Sequence, residues 1–128
     1  MNYLIDTHLL LWAAYQPEKL SIKAKKILLH DENILMFSAA SIWEVTIKAQ
    51  IGRKDFKVNH RGFRRGLLDN GYEEIPINSF HTASIDQLPP IHKDPFDRLL
   101  IAQAITEGIT LLTSDSTLAP YSDSVVLV

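Results

Sequence analysis

Short runs of mostly apolar residues recur along the chain, and they constrain its fold more than any other feature. We predict strands at residues 3–5, 34–37, 74–77, 110–113 and 125–127. None alternates apolar and polar residues with period two, which is typical of strands in a parallel sheet covered on both faces. Helical segments are predicted between them, at residues 9–14, 20–29, 38–50, 63–68, 79–87 and 95–107. This alternation predicts an α/β fold with a mainly parallel sheet.

Chain length and the absence of cysteine narrow the class of protein. At 128 residues the chain corresponds to a single domain, residues 1–128, which buries about two-thirds of its unfolded surface. A cysteine count of zero excludes thiol nucleophiles, cysteine-ligated zinc and a disulfide scaffold. No apolar run approaches the roughly 20 residues of a membrane-spanning helix, and Asp6 interrupts the N-terminus before a signal peptide could form. We therefore expect a cytoplasmic protein without a membrane partner.

Positive charge is concentrated in one segment of a chain whose formal net charge is −2. Residues 48–65 carry seven basic residues and one acid, whereas the remainder carries six basic residues and fourteen acids. A basic segment on an acidic body can bind a polyanion, because phosphates attract Lys and Arg. It can also be a solvated helix face and loop, and the charges alone favour this second interpretation.

Four acidic residues stand where predicted strands end or predicted helices begin: Asp6, Glu44, Asp97 and Asp115. In open parallel sheets, ligands bind beyond the carboxyl ends of the strands. Each acid also has a plain structural explanation, as a helix cap, a capping-box residue, a partner of the helix dipole or a turn residue. As a set, however, four converging carboxylates repel one another unless a cation compensates them. Hard oxygen ligands suit Mg²⁺ or Mn²⁺. The five histidines are scattered, and we interpret them as surface or supporting residues.

The acids lie within four motifs that together are similar to a known family. In chain order the motifs are Leu4-Ile5-Asp6-Thr7-His8-Leu9-Leu10-Leu11-Trp12, Ser41-Ile42-Trp43-Glu44, Asp94-Pro95-Phe96-Asp97-Arg98-Leu99-Leu100-Ile101-Ala102-Gln103-Ala104 and Leu111-Leu112-Thr113-Ser114-Asp115. They resemble PIN-domain proteins of the bacterial VapC-type toxin group, and the resemblance covers the whole chain in order. It implies a three-layer α/β/α sandwich with a central, mainly parallel sheet. It also implies a Mg²⁺- or Mn²⁺-dependent ribonuclease.

The resemblance implies roles for individual residues. The four acids take the family's catalytic and metal-binding positions, with Asp6 and Asp97 as the main ligands. Thr113 matches a hydroxyl residue that often accompanies the last acid, with an ordinary strand-end residue as the alternative. Asp94 is expected to cap the helix that carries Asp97, and it could also reach the water shell of the metal.

The resemblance also implies partners for the chain. The basic segment is then expected to hold the RNA backbone through Arg53, Lys54, Lys57, Arg61, Arg64 and Arg65. A homodimer and a cognate antitoxin that blocks the acidic pocket are implied as well. The alternative is a non-catalytic PIN-like module that binds RNA or protein, which the presence of all four acids disfavours.

Three further side chains receive structural interpretations. Trp12 and Trp43 fall on apolar helix faces, and we predict that they belong to the core and are not platforms for nucleobases. Arg98 is interpreted as a partner of a nearby acid or backbone carbonyl and not as a catalytic cation.

Overall fold

A parallel sheet of five strands runs through the protein. The structure, a computed structural model, describes residues 1–52, 56–90 and 94–128. The strands are β1 (Asn2–Ile5), β2 (Ile34–Ser38), β3 (Glu73–Ile75), β4 (Thr110–Thr113) and β5 (Val125–Leu127). Their order across the sheet is β3-β2-β1-β4-β5, and each neighbouring pair is parallel.

The central position of β1 determines where a ligand can bind. Leu4 of β1 pairs with Met36 of β2 on one side and with Leu111 of β4 on the other. The chain moves outward from β1 in one direction through β2 and β3, and in the other direction through β4 and β5. The carboxyl ends of β1 and β4 therefore flank a topological switch point, where open parallel sheets form a crevice.

Six α-helices connect the strands in the described residues. They are α1 (Thr7–Tyr15), α2 (Ile22–Leu28), α3 (Ala39–Ile51), α4 (His60–Asp69), α5 (Ser79–Ala83) and α6 (Pro95–Glu107). Short 3₁₀ turns occupy Pro17–Lys19, Ser84–Gln87 and Ala119–Tyr121. As predicted from sequence, α6 starts with Pro95 in its first turn and ends at Gly108, whose φ of 67° is the left-handed conformation that favours glycine.

Alternate residues of each strand point to opposite faces of the sheet, and helices pack against both faces. Leu4 and Leu111 belong to the core under α6. The next residues along the same strands, Ile5 and Leu112, belong to the core under α1, α2 and α4. Helix α3 contributes to both cores. The predicted three-layer α/β/α sandwich with a central parallel sheet is therefore confirmed.

Local differences from the predicted elements have simple causes. The helix predicted over residues 79–87 is α5 followed by a 3₁₀ turn. Strand β3 ends at Ile75 and not at residue 77, and the next residue is Pro76, which has no N–H to donate to a neighbouring strand. Within the described residues, no helix has both the length and the apolar character needed to cross a bilayer.

Two residues differ from expectation in their burial. Trp43 is 58% exposed and does not belong to the core, because the buried positions of α3 fall on the faces of Ala40, Glu44 and Val45. His81 is 1% exposed, so it is not a surface residue, and of the two roles expected for the histidines only the supporting one stays open to it. Its ring Nε2 lies 2.7 Å from Oε1 of Glu107 at the end of α6.

Candidate active site

Asp6 and the end of β4 are joined directly at the carboxyl edge of the sheet. Asp6 follows β1 and caps α1, because its Oδ1 accepts a hydrogen bond of 2.9 Å from the Leu9 N–H. Its other oxygen, Oδ2, accepts a hydrogen bond from the Thr113 hydroxyl. The same hydroxyl oxygen accepts the Asp115 N–H at 3.0 Å. Thr113 therefore links two of the predicted acids, one through its carboxylate and the other through its backbone.

Asp6 is a buried carboxylate that is 4% exposed. Burial raises the pKa of the Asp6 carboxyl above its ordinary value near 3.8. The Thr113 hydroxyl and the Leu9 N–H lower this pKa because they bond to the ionised form, and His8 also lowers it. The negative charge of Glu44 raises it. Two of the predicted acids therefore lie close enough for their charges to interact.

Glu44 reaches this edge from the second turn of α3. The helix begins after Ser38, whose hydroxyl oxygen accepts the Ala40 N–H at 3.0 Å. The alternative explanation of Glu44 as a capping-box partner of Ser41 is wrong, because Ser38 caps the helix. The Ser41 hydroxyl instead accepts a 2.9 Å hydrogen bond from the Thr7 hydroxyl, which ties the first turn of α3 to the first residue of α1.

Glu44 also has a positive neighbour within its own helix. Lys48 Nζ lies 3.2 Å from Glu44 Oε2, one turn along α3. Glu44 is only 8% exposed, and a buried carboxylate needs such compensation. The Glu–Lys spacing of four residues predicts such a pair, whereas we expected Lys48 only as one of the charges of the basic segment.

Asp97 lies in the first turn of α6, behind the predicted cap. Asp94 Oδ1 accepts hydrogen bonds from the Phe96 N–H at 2.8 Å and from the Asp97 N–H at 3.2 Å. The capping role predicted for Asp94 is confirmed. Because α6 packs against α3, the helix that carries Asp97 is a neighbour of the helix that carries Glu44.

Asp115 has a second role in the turn after β4. Its Oδ1 accepts hydrogen bonds from the Thr117 N–H at 2.9 Å and from the Thr117 hydroxyl at 2.7 Å. The turn explanation of Asp115 is therefore correct, and it is compatible with a place in the site because the carboxylate has further acceptor positions.

The carboxylates fit a divalent cation that keeps most of its waters. Within residues 1–52, 56–90 and 94–128, no group of three or more His, Asp or Glu side chains could hold a metal ion. Mg²⁺, however, typically binds through one or two carboxylates, with waters and phosphate oxygens completing its shell. Asp6 and Glu44 are two buried carboxylates of the kind such a cation prefers, and the charge of Glu44 is the smallest of the influences on the pKa of Asp6.

Comparison with known proteins identifies the family. The profile of the PIN domain matches residues 3–122. The chain belongs to the PIN domain family. It is 28% identical over 119 residues to "Ribonuclease VapC22" of Mycobacterium tuberculosis (strain ATCC 25618 / H37Rv), and the alignment covers 92% of this chain and 90% of the relative.

Solved structures share the fold of this PIN domain. The VapBC2 structure from Rickettsia felis, bound to a DNA fragment from its promoter, has a TM-score of 0.73 at 19% identity and covers 100% of this chain and 98% of its own. A toxin–antitoxin complex from Klebsiella pneumoniae has a TM-score of 0.62 at 19% identity and covers 97% of this chain and 95% of its own. VapBC-1 from nontypeable Haemophilus influenzae also has a TM-score of 0.62, at 18% identity, with coverage of 94% and 91%.

The basic segment of this PIN domain is divided in the structure. Arg64 Nε lies 3.8 Å from Glu74, and Arg65 Nε lies 3.2 Å from Asp69, so both guanidinium groups have acidic neighbours. Lys57 and Arg61 are exposed and form no ion pair with any residue that the structure describes. Two other predicted RNA-binding residues, Arg53 and Lys54, lie outside the described residues.

A buried polar network that was not predicted from the sequence joins α6 to the start of α3. Gln103 of α6 is fully buried, and its Oε1 accepts a hydrogen bond from the hydroxyl of Ser38, the residue that caps α3. Its Nε2 donates to the Pro76 carbonyl at 3.3 Å. Gln103 thus connects the start of α3 to α6. The sequence feature that could have predicted this network is Gln103 itself, a polar residue in the otherwise apolar middle of α6.

Arg98 has the structural role that we expected. Its guanidinium donates to the Pro89 carbonyl at 3.0 Å and to the Ile85 carbonyl at 3.2 Å. It also lies 6.0 Å from the centre of the Tyr121 ring. These bonds fasten the segment before α6 to the helix.

Proposed function

We propose that this PIN domain is an endoribonuclease that hydrolyses RNA phosphodiester bonds with bound Mg²⁺ or Mn²⁺, and that it is the toxin of a toxin–antitoxin pair. The observation that carries the proposal is the buried Asp6 carboxylate at the carboxyl edge of the parallel sheet, which accepts a hydrogen bond from the Thr113 hydroxyl, with a second buried carboxylate, Glu44, on the helix that follows β2. The similarity to a relative named as a ribonuclease supports RNA as the substrate.

The site residues divide into ligands and supports in this proposal. Asp6 and Asp97 are the main ligands of the cation, and Glu44 and Asp115 complete the acidic pocket. Thr113 supports Asp6, because its hydroxyl bonds to the ionised carboxylate and lowers the pKa of that group. Ionised Asp6 is the form that binds a cation, so Thr113 extends metal binding toward lower pH.

The chemistry that a divalent cation supplies at such a site is activation of a water molecule and stabilisation of the leaving oxygen. A water nucleophile does not require the 2′-hydroxyl of the substrate. We therefore expect products with a 5′-phosphate and a 3′-hydroxyl.

Positively charged residues are needed to bring RNA to an acidic pocket. Lys57 and Arg61 are the described members of the basic segment best suited to this task, because both are exposed and neither is engaged in an ion pair within the described chain. Lys48 lies closer to the acids, one helical turn after Glu44. Helix α4, which carries Arg61, packs against α3, which carries Lys48 and Glu44, and these positive charges would attract the RNA phosphates.

The proposal includes partners and domain organisation. A cognate antitoxin is supported by the fold shared with a toxin–antitoxin complex. A single domain over residues 1–128 is supported by the family match to residues 3–122 and by the one sheet that includes every described strand. A homodimer and a cytoplasmic location stay predictions, which sedimentation and cell fractionation would test.

The test is cleavage of RNA by the purified protein. Total RNA is incubated at fixed low salt with Mg²⁺, Mn²⁺ or EDTA, using the parent protein, Asp97→Asn and Asp31→Asn. The control residue Asp31 is exposed and precedes β2, so it lies at the amino edge of the sheet, away from the predicted site. We expect metal-dependent cleavage by the parent and by Asp31→Asn, and none by Asp97→Asn. Ligation to the 5′ ends of the fragments checks the predicted chemistry of the products.

Each result has a distinct meaning. Cleavage that persists in EDTA would contradict the metal-dependent mechanism. Full activity of folded Asp97→Asn would remove this residue from the site. RNA binding without cleavage in any metal would favour the alternative, a non-catalytic PIN-like binding module.

A further inference from the structure

Two aromatic residues in contact with each other are the sequence neighbours of two predicted acids. Trp43 directly precedes Glu44 in α3, and Phe96 directly precedes Asp97 in α6. The centres of the Trp43 and Phe96 rings are 5.2 Å apart and the ring planes meet at 73°, which is an edge-to-face contact. This contact bridges the two helices that present these acids. Trp43 is nevertheless 58% exposed, whereas Phe96 is partly buried against the core.

The geometry leaves aromatic surface available on the Trp43 side chain. An edge-to-face contact between two rings covers only part of an indole, in agreement with its exposure. An exposed tryptophan gains free energy when a flat apolar surface covers it. Unpaired nucleobases offer such a surface, and proteins that bind single-stranded RNA commonly stack bases on aromatic side chains.

We infer that Trp43 forms a subsite for a nucleobase of the RNA strand, beside the phosphate that enters the acidic pocket. Phe96 is the positioning residue that holds the indole through its edge contact. This inference rests on the proposed function and adds to it a means of recognising bases. Phosphates alone cannot supply sequence preference, whereas a base that stacks next to the cleaved bond can.

A second copy of this chain is the competing occupant of the surface. Ile51 is 66% exposed two turns after Trp43, on the same side of α3, so an apolar stripe could pack against another protomer. The position of Trp43 favours a nucleobase. Both rings of the Trp43–Phe96 contact are next in sequence to a predicted acid, Glu44 in one case and Asp97 in the other. Ile51, at the far end of α3, therefore provides the matched control.

Binding to RNA with and without bases tests the inference. The probes are a fluorescein-labelled, single-stranded RNA 12-mer of mixed sequence and a strand of equal length in which abasic ribose replaces every nucleoside. Both carry the same phosphate charge. Binding is measured by anisotropy in Mg²⁺ with Asp97→Asn as the background, so that the RNA stays intact. In this background we compare Trp43→Ala, Trp43→Phe and Ile51→Ala.

We expect Trp43→Ala to weaken binding of the base-containing strand about 5- to 150-fold, the range that corresponds to loss of one stacked base. Binding of the abasic strand should not change. Trp43→Phe should recover most of the loss, and Ile51→Ala should bind both strands like its parent. With Trp12→Phe added, Trp43 is the remaining one of the two tryptophans, and its fluorescence should be quenched by the base-containing strand only.

Sedimentation of the same variants separates the two occupants. The inference requires that Trp43→Ala has the sedimentation coefficient of its parent. Dissociation of a dimer by Trp43→Ala, equal weakening for both strands, or unchanged affinity for both would each overturn it. If the active parent cleaves RNA while Trp43→Ala binds normally, only this inference fails. If the parent neither binds nor cleaves RNA, both this inference and the proposed function fail.

Discussion

Replacing Thr113 with valine tests the link between β4 and Asp6. Thr113 is fully buried, and its hydroxyl donates to Asp6 Oδ2 and accepts from the Asp115 N–H. Valine has nearly the same shape but lacks the hydroxyl. A hydrogen bond to a charged group contributes about 1.5–3 kcal/mol, and an amide that loses its acceptor adds to the cost. Because Asp115 is only partly buried, water can replace part of that second bond.

We therefore expect Thr113→Val to lose about 2–4 kcal/mol of the free energy of unfolding at neutral pH. For a chain of this length, 1 kcal/mol corresponds to about 3–4 °C, so the thermal midpoint should fall by roughly 6–15 °C. Thr113→Ser is the matched control. It keeps the hydroxyl and removes one buried methyl group, for an expected loss of about 1 kcal/mol.

The pH dependence identifies the charged partner. The folded-state pKa of Asp6 is raised, so the native state holds this proton more tightly than the unfolded chain. Ionisation of Asp6 therefore reduces stability as the pH rises above the ordinary value near 3.8. Loss of the Thr113 hydroxyl raises the pKa further, and the stability gap between parent and Thr113→Val should grow as the pH rises.

Urea denaturation followed by circular dichroism between pH 4 and 8 measures this gap. The acid limb of the pH–rate profile for RNA cleavage should also move to higher pH in Thr113→Val and stay in place in Thr113→Ser. A gap that is constant across the pH range would show that the hydroxyl does not act on the charge of Asp6. An equal shift of the profile in the serine variant would refute the reasoning about the hydroxyl.

Three other substitutions separate structural from functional roles. Asp94→Asn keeps the oxygen that caps α6, so it should lose under about 1 kcal/mol in denaturation and retain cleavage activity; inactivity despite a normal fold would give the carboxylate a role beyond capping. Lys48→Met removes a competitor for Glu44, so calorimetry should show about 2- to 5-fold tighter Mn²⁺ binding; unchanged affinity would argue against Glu44 as a ligand. Replacing both Arg64 and Arg65 with alanine should reduce the slope of log affinity for RNA against log salt by about 1. The reduction is small for two arginines because Glu74 and Asp69 already neutralise part of their charge. An unchanged slope would show that both residues belong to a solvated face that does not contact RNA.

The sequence predicts most of the framework because local patterns determine it. The apolar runs around Leu4 and Leu111 lack alternation, and both strands lie inside a sheet that is covered on both faces. Asp94 and Gly108 mark the two ends of α6 by chemistry that acts within one helical turn. Asp6 and Thr113 could be placed together because parallel strands end at the same edge.

The errors concern features that depend on distant parts of the chain. Helix α3 has apolar residues on several faces, so its sequence does not indicate which face the sheet will cover, and Trp43 was assigned to the wrong one. His81 is buried because Asn78 and Glu107 satisfy its two ring nitrogens. The partner on α6 is 26 positions away, and no spacing rule connects the two residues.

The hydrogen bond between Thr113 and Asp6 spans 107 positions of the chain, and this separation has a consequence for biosynthesis. Translation releases Asp6 first, and β4 can be inserted beside β1 only after nearly all of the preceding residues have left the ribosome. Joining such distant segments is also among the slower steps of folding. A nascent chain therefore carries Asp6 without its supporting hydroxyl, and RNA cleavage should begin only after the polypeptide has largely been made.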